Sequence, residues 1–227
     1  MIVAVINSKG GVGKSTLAVH AAAWLRERGL LVAAVDADAQ SSTAEWLARV
    51  EPDMRIERCA TSPQILDRAP RLEALYDVVV IDGPAALNAE TVAIVGVADL
   101  ALLPIGPSMM DISASYRTAR LIYKIRFNPK RQGKPHAFIV LNRVQPHTRL
   151  ARIAAAAILK YGFPVARHAL QLRQAYAEAC GEGTVVWRMG ARGRAAAEEI
   201  DQLFGQVFAE VLSRGGIGEA SDQARPT

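Results

Sequence analysis

Cysteine is nearly missing from this chain. The two present, Cys59 and Cys180, stand far apart and form no CxxC pair. That excludes a disulfide framework and supplies no zinc or iron–sulfur ligand set. Aromatic residues make up 6% of the chain, too few to interleave with basic side chains as a platform for stacking single-stranded bases. No stretch approaches the roughly 20 apolar residues that a membrane-spanning helix needs. The opening MIVAVINSKGG carries a run of about six apolar residues before a glycine loop, without the charged flank or cleavage site of a secretory signal. The expectation is a soluble, cytoplasmic protein.

What is present is ordinary in amount and ordered in arrangement. At 227 residues, 51% of them apolar, the chain can bury one sizeable core and is short for two. A formal charge of +5 favours an acidic partner such as nucleic acid, although where the charges sit matters more than their sum.

Strand-like runs at residues 2–6, 31–35, 78–81, 100–103 and 138–141 alternate with segments of helical period, and 54–58 reads as a weak edge strand. Helices are expected over 15–28, 43–49, 171–180 and 194–212, with a further one over 149–161. Another starts from a cap at Asp111 or Ser113 and stops at Asn128-Pro129. Gly29 stands where a helix-ending glycine belongs, and Pro104 is expected to close its strand. Such alternation implies an α/β fold, a mostly parallel sheet with helices on both faces, whose ligands bind at the carboxyl ends of the strands. With no repeat and no linker, residues 1–214 read as a single domain and 215–227 as a frayed tail.

The strongest signal lies between the first strand and the first helix: Ser8-Lys9-Gly10-Gly11-Val12-Gly13-Lys14-Ser15-Thr16. Glycines there let successive backbone N–H groups curl around a phosphate, and the helix N-terminus adds its positive dipole end. Lys14 can reach the β- and γ-phosphates and Ser15 can ligate Mg²⁺. Two further carboxylate motifs fall at strand ends. Asp36 and Asp38, at i and i+2, can both face the crevice, or one of them can cap the next helix. Val78-Val79-Val80-Ile81-Asp82-Gly83 has the form of a Walker B strand, in which Asp82 binds Mg²⁺ through a water and Gly83 lets the γ-phosphate approach.

KGGVGKST, with Ser8 in place of the usual first glycine and Lys9 directly after it, resembles the deviant Walker A box of the ParA/MinD superfamily, and the size of the chain is similar to that of the small, ParF-like partition ATPases. The resemblance extends through Asp36-Ala37-Asp38-Ala39-Gln40, where Ala39 replaces the family's usual proline, and through Leu103–Ser108 with Asp111. It also takes in Leu141-Asn142-Arg143 and the segment from Arg173 to Gly183. It implies an ATPase using ATP and Mg²⁺, with Lys9 reaching across a homodimer that sandwiches the nucleotides. It implies that Asp38 orients the attacking water, that Asp36 lies in the outer shell of the metal, and that Asn142 reads adenine. A plain solvated lysine remains the other reading of Lys9.

Basic residues dominate between Arg143 and Arg194, opposed only by Glu178 and Glu182. Such a cluster can bind phosphate backbones without reading bases, and is equally consistent with solvated helices. In the family that it resembles, the ATP-bound dimer binds DNA nonspecifically through its C-terminal part, which here puts Arg167, Arg173, Arg192 and Arg194 forward and implies association with the nucleoid. The expected function is then segregation of plasmid or chromosomal DNA with a ParB-like or centromere-binding stimulator. The alternative keeps the cycle and changes the cargo to a protein assembly, a chemoreceptor cluster or a microcompartment. A P-loop small-molecule kinase or synthetase is the rival of another class, but no substrate constellation stands out. Cluster-bearing ATPases need cysteines in other places. A MinD-like membrane anchor is not expected, because the last helix carries Glu198, Glu199, Asp201 and Glu210.

Overall fold

The computed structural model describes residues 1–145, 156 and 161–215, with side chains as far as residue 209. Six strands form one parallel sheet in the order β3-β2-β4-β1-β5-β6. They are β1 (Ile2–Val5), β2 (Val32–Asp36), β3 (Arg55–Arg58), β4 (Val78–Asp82), β5 (Leu100–Ile105) and β6 (His136–Leu141). Seven α-helices are present among the described residues. They are α1 (Lys14–Glu27), α2 (Ser42–Val50), α3 (Ser62–Glu73), α4 (Ala89–Val97), α5 (Met109–Arg126), α6 (Gln174–Glu182) and α7 (Arg194–Gly215).

Alternation along each strand feeds two cores. Val3, Val5, Val32, Val78, Val80, Leu100 and Val140 face α1, α2 and α7, with Trp24, Leu25, Phe204 and Phe208 filling the layer. Ile2, Ala4, Val35, Val79, Ile81 and Leu103 face the other way, against Ile65 of α3, Ile94 of α4 and Ile122 of α5. Because both faces of the central strands are covered, they read as unbroken apolar runs rather than alternating ones.

Several boundaries differ from the sequence reading, each for a physical reason. Strand β5 continues through Pro104 to Ile105 instead of closing at it. β1 pairs with β5 only as far as Leu102, so the N–H that proline lacks falls beyond that ladder, and the Pro104 carbonyl accepts from Asn7 Nδ2 at 2.7 Å. Helix α5 starts earlier than expected, because Ser108 rather than Asp111 or Ser113 is its cap; the Ser108 hydroxyl accepts from the Asp111 N–H. Helix α6 begins at Gln174, three residues after the expected start at 171. The sequence reading places no helix at α3 or α4. The helix expected over 149–161 lies almost entirely outside the described residues, as does the tail beyond 215.

Candidate functional site: a phosphate loop facing three carboxylates

The carboxyl ends of β1, β2 and β4 lie side by side in the sheet, so the loop after β1 and the aspartates that end β2 and β4 meet in one crevice. The loop is held from both sides. Asn7, fully buried, donates to Ser115 Oγ and to the Pro104 carbonyl, and its Oδ1 accepts from the Lys9 N–H at 3.0 Å. On the far side, Asn142 donates from Nδ2 to the Val12 carbonyl at 2.7 Å. Gly13 sits at φ 90, and a Cβ there would lie 2.2 Å from Asn142 Nδ2. Only glycine meets both conditions, the left-handed backbone and the close approach.

Lys14 begins α1 and is buried, its ammonium 3.3 Å from the Lys9 carbonyl. Burial lowers its pKa, opposed by the charges of Asp82 and Asp38. A desolvated ammonium held across a curled loop is a strong partner for an anion brought in among those N–H groups. The Lys9 side chain is half-buried and makes no ion pair among the described residues.

Asp82, like Asp36, is buried. Its Oδ2 accepts from Ser15 Oγ at 2.7 Å and from Thr43 Oγ1 at 2.6 Å, while Oδ1 is buried without a partner. Desolvation pushes its pKa up to about 6, against the pull of the two hydroxyls. Asp36 accepts from the Ala44 N–H at 2.8 Å and from the Asp38 N–H at 3.1 Å. The first of these contacts makes Asp36 the cap of α2, since Ser41 makes no side-chain cap. Burial also raises the pKa of Asp36. Asp38 is half-buried and accepts from the Gln40 N–H.

The donor set fits a hard divalent cation. An orphaned, buried carboxylate oxygen beside a serine hydroxyl is the environment that Mg²⁺ completes, and Ser15 and Asp82 would hold it. Bound there, the cation supplies positive charge against phosphate oxygens. No group of three or more His, Cys, Asp or Glu is placed to hold a metal among the described residues. The cation's remaining ligands would therefore come from water and the nucleotide phosphates.

A cavity of about 500 Å³ runs from this crevice past Asn142 to Leu170–Arg173 and the Tyr176 face of α6. It is long enough to take a nucleotide with its phosphates on the loop and its base near α6. Both polar atoms of the Asn142 amide are engaged, Nδ2 by Val12 and Oδ1 by the Arg143 N–H. At Gly83 a Cβ would meet Ile6 Cγ2 at 2.8 Å and the Val5 carbonyl at 3.3 Å, so the chain after β4 packs closely on the end of β1. Sequence reasoning missed Asn7 and Thr43, which orient the loop and Asp82. The signal for Thr43 was available, a hydroxyl in the first turn of the helix that follows the aspartate pair.

Three of the six described arginines of the basic stretch face carboxylates. Arg173 pairs with Glu199 at 2.7 Å, Arg192 with Glu182 at 2.9 Å and Arg188 with Glu27 at 2.8 Å. Arg167 and Arg194 are exposed and have no ion pair among the described residues.

Fold and site together define a P-loop nucleotide-binding protein. The family model for the CobQ/CobB/MinD/ParA nucleotide binding domain matches residues 3–186, and the chain belongs to that family. It is an ATPase of the ParA/MinD superfamily, and its cofactors are ATP and Mg²⁺. Among curated proteins it is similar to the maintenance of carboxysome distribution protein A of Halothiobacillus neapolitanus. The two are 34% identical over 209 residues, which is 90% of this chain and 95% of the relative. The septum site-determining protein MinD of Helicobacter pylori is 25% identical over 181 residues, 64% of this chain and 68% of the relative. Among solved structures, apo McdA of Cyanothece superposes with a TM-score of 0.73 at 18% identity, covering 93% of this chain and 98% of that one. No described helix is long and apolar enough to cross a membrane.

Proposed function

We propose that this chain is an ATP-driven positioning ATPase whose cargo is a protein assembly of the microcompartment kind. The carrying observation is the 34% identity, over nearly the full length of both chains, with a carboxysome distribution protein. A second protein of the same name, from Gloeobacter kilaueensis, is 34% identical over 215 residues. The sequence reading places DNA segregation first and a protein cargo second; these relatives favour the second. Segregation of plasmid DNA is supported by a shorter likeness, 28% identity over 123 residues with a Rhizobium radiobacter protein named ParA.

In the proposed cycle ATP binds with its β- and γ-phosphates on Lys14 and the loop. Two copies then close face to face, and Lys9 of each reaches the phosphates held by the other. The dimer binds nucleoid DNA without sequence preference, through exposed basic residues such as Arg167 and Arg194. A partner protein on the cargo stimulates hydrolysis. Asp38 orients the water, whose oxygen bonds to the γ-phosphorus while the bond to the β-bridging oxygen breaks, and the dimer lets go as ADP is left behind. Positioning and fixed charges do most of this work, as phosphoryl transfer requires. The apolar face of α7 packs into the core through Ile200, Leu203, Phe204 and Phe208, so that face is not free to lie on a lipid surface.

Deleting the gene in the source cell and imaging its protein assemblies tests the cargo. Assemblies that collapse into clumps while plasmids are inherited normally support the proposal. Evenly spaced assemblies with a raised plasmid-loss rate favour DNA segregation instead.

A further inference from the structure

Arg143 leaves β6 with φ 58, in the left-handed region that long side chains seldom adopt. It is held there by Asn142, whose Oδ1 accepts from the Arg143 N–H at 2.9 Å while its Nδ2 grips the loop at Val12. The strained turn aims the side chain back over the phosphate loop, where one guanidinium N–H donates to the Gly11 carbonyl at 2.6 Å. Arg143 is exposed, and among the described residues this neutral carbonyl is the only partner of its guanidinium. Its neighbours in sequence differ: Arg173, Arg188 and Arg192 each face a carboxylate.

Arg143 also lines two cavities at once. One is the nucleotide cavity with Lys14 and Ser15, and the other, of about 480 Å³, holds Lys9 and Asp111 on the opposite side of the loop. A guanidinium with no carboxylate partner among the described residues, set above a loop that concentrates N–H dipoles and two lysines, is placed to receive an anion there. Backbone strain of this kind persists where the surrounding structure has a use for it. The guanidinium fork matches phosphate oxygens in shape as well as in charge.

We propose that Arg143 is a third cation of the phosphate site, resting on the Gly11 carbonyl without nucleotide and donating to a phosphate oxygen of the bound nucleotide from the β6 side. This rests on the nucleotide-binding reading of the loop. Fluorescence titration with N-methylanthraniloyl ADP and the corresponding ATP analogue, at two salt concentrations, tests it on wild type and three variants. Arg143→Met is expected to bind about tenfold more weakly, the scale of one charge-assisted hydrogen bond, with a shallower salt dependence. Arg143→Lys should recover part of the loss because it keeps the charge. Arg143→Gly should also bind weakly while melting at the wild-type temperature or above, since glycine relieves the left-handed backbone. Equal affinity of the Met and Lys variants, or wild-type affinity in the Gly variant, overturns the assignment. Failure of the wild-type protein to bind either probe removes the nucleotide reading itself, and this inference with it.

Discussion

Thr43, in the first turn of α2, donates its hydroxyl to Asp82 Oδ2 across 2.6 Å, joining the helix after β2 to the aspartate that ends β4. With Ser15 donating to the same oxygen, Oδ1 is left buried as the free acceptor. The two hydroxyls are also what keeps this carboxylate charged against its burial.

Thr43→Val should therefore raise the pKa of Asp82 beyond its present value of about 6. The expected outcome is Mg²⁺-dependent ATP binding that weakens at a higher pH in the variant than in wild type, with nucleotide binding in EDTA little changed. Titration across pH 5–8 with and without Mg²⁺ checks this, and coincident curves would remove Thr43 from the site.

Stability without nucleotide should also carry the signature of Asp82. Its folded pKa lies above the usual carboxylate value, so between about pH 4 and 6 the folded state binds more protons than the unfolded one. The stability contributed by this group is thus present below about pH 4 and is lost as pH rises towards 6, on the order of 2–3 kcal/mol. Asp82→Asn cannot titrate. Its melting temperature relative to wild type should climb over that window and then level off, as differential scanning calorimetry would show. A difference that does not vary with pH would refute the raised pKa.

Lys14→Ala removes the buried ammonium that spans the loop, at 3.3 Å from the Lys9 carbonyl. Nucleotide affinity should fall by about a hundredfold or more, the scale of a desolvated charge–phosphate contact. Isothermal titration with ATP measures it, and an unchanged affinity would reject the phosphate assignment of the loop.

Much of this was legible in the sequence, and the exceptions have identifiable causes. The phosphate loop could be read because it needs glycine at fixed places, as the clash at Gly13 shows. The central strands could be read because burial on both faces leaves continuous β-branched runs such as Val78–Ile81. Helix α4 was missed because AETVAIVGV is apolar almost throughout, with too little polar residue to display a period. Helix α3 did carry a signal, the Thr61–Gln64 capping box with Pro63 inside it, but Pro70 within its last turn obscures the pattern. Basic residues counted along the chain suggested one positive surface. In three dimensions Arg173, Arg188 and Arg192 answer to carboxylates, several of them distant in sequence, and linear counting cannot see those pairs.

Asp38→Ala should separate binding from turnover. Asp38 is half-buried, clear of the Ser15–Asp82 contact, and its charge acts on Lys14. The variant is expected to bind ATP within a few-fold of wild type and to lose about a thousandfold in hydrolysis, the scale of a lost water-positioning group. Normal turnover in a phosphate-release assay would reject that role.

The most direct measurement of the proposed cycle is DNA binding by the purified protein with ATP and Mg²⁺, with ADP and without nucleotide, each at two salt concentrations. Binding is expected only with ATP, falling steeply as salt rises, because a paired basic surface displaces counterions from the phosphate backbone. Binding of equal strength in all three states, or none in any state with hydrolysis intact, would contradict an ATP-gated hold on the nucleoid.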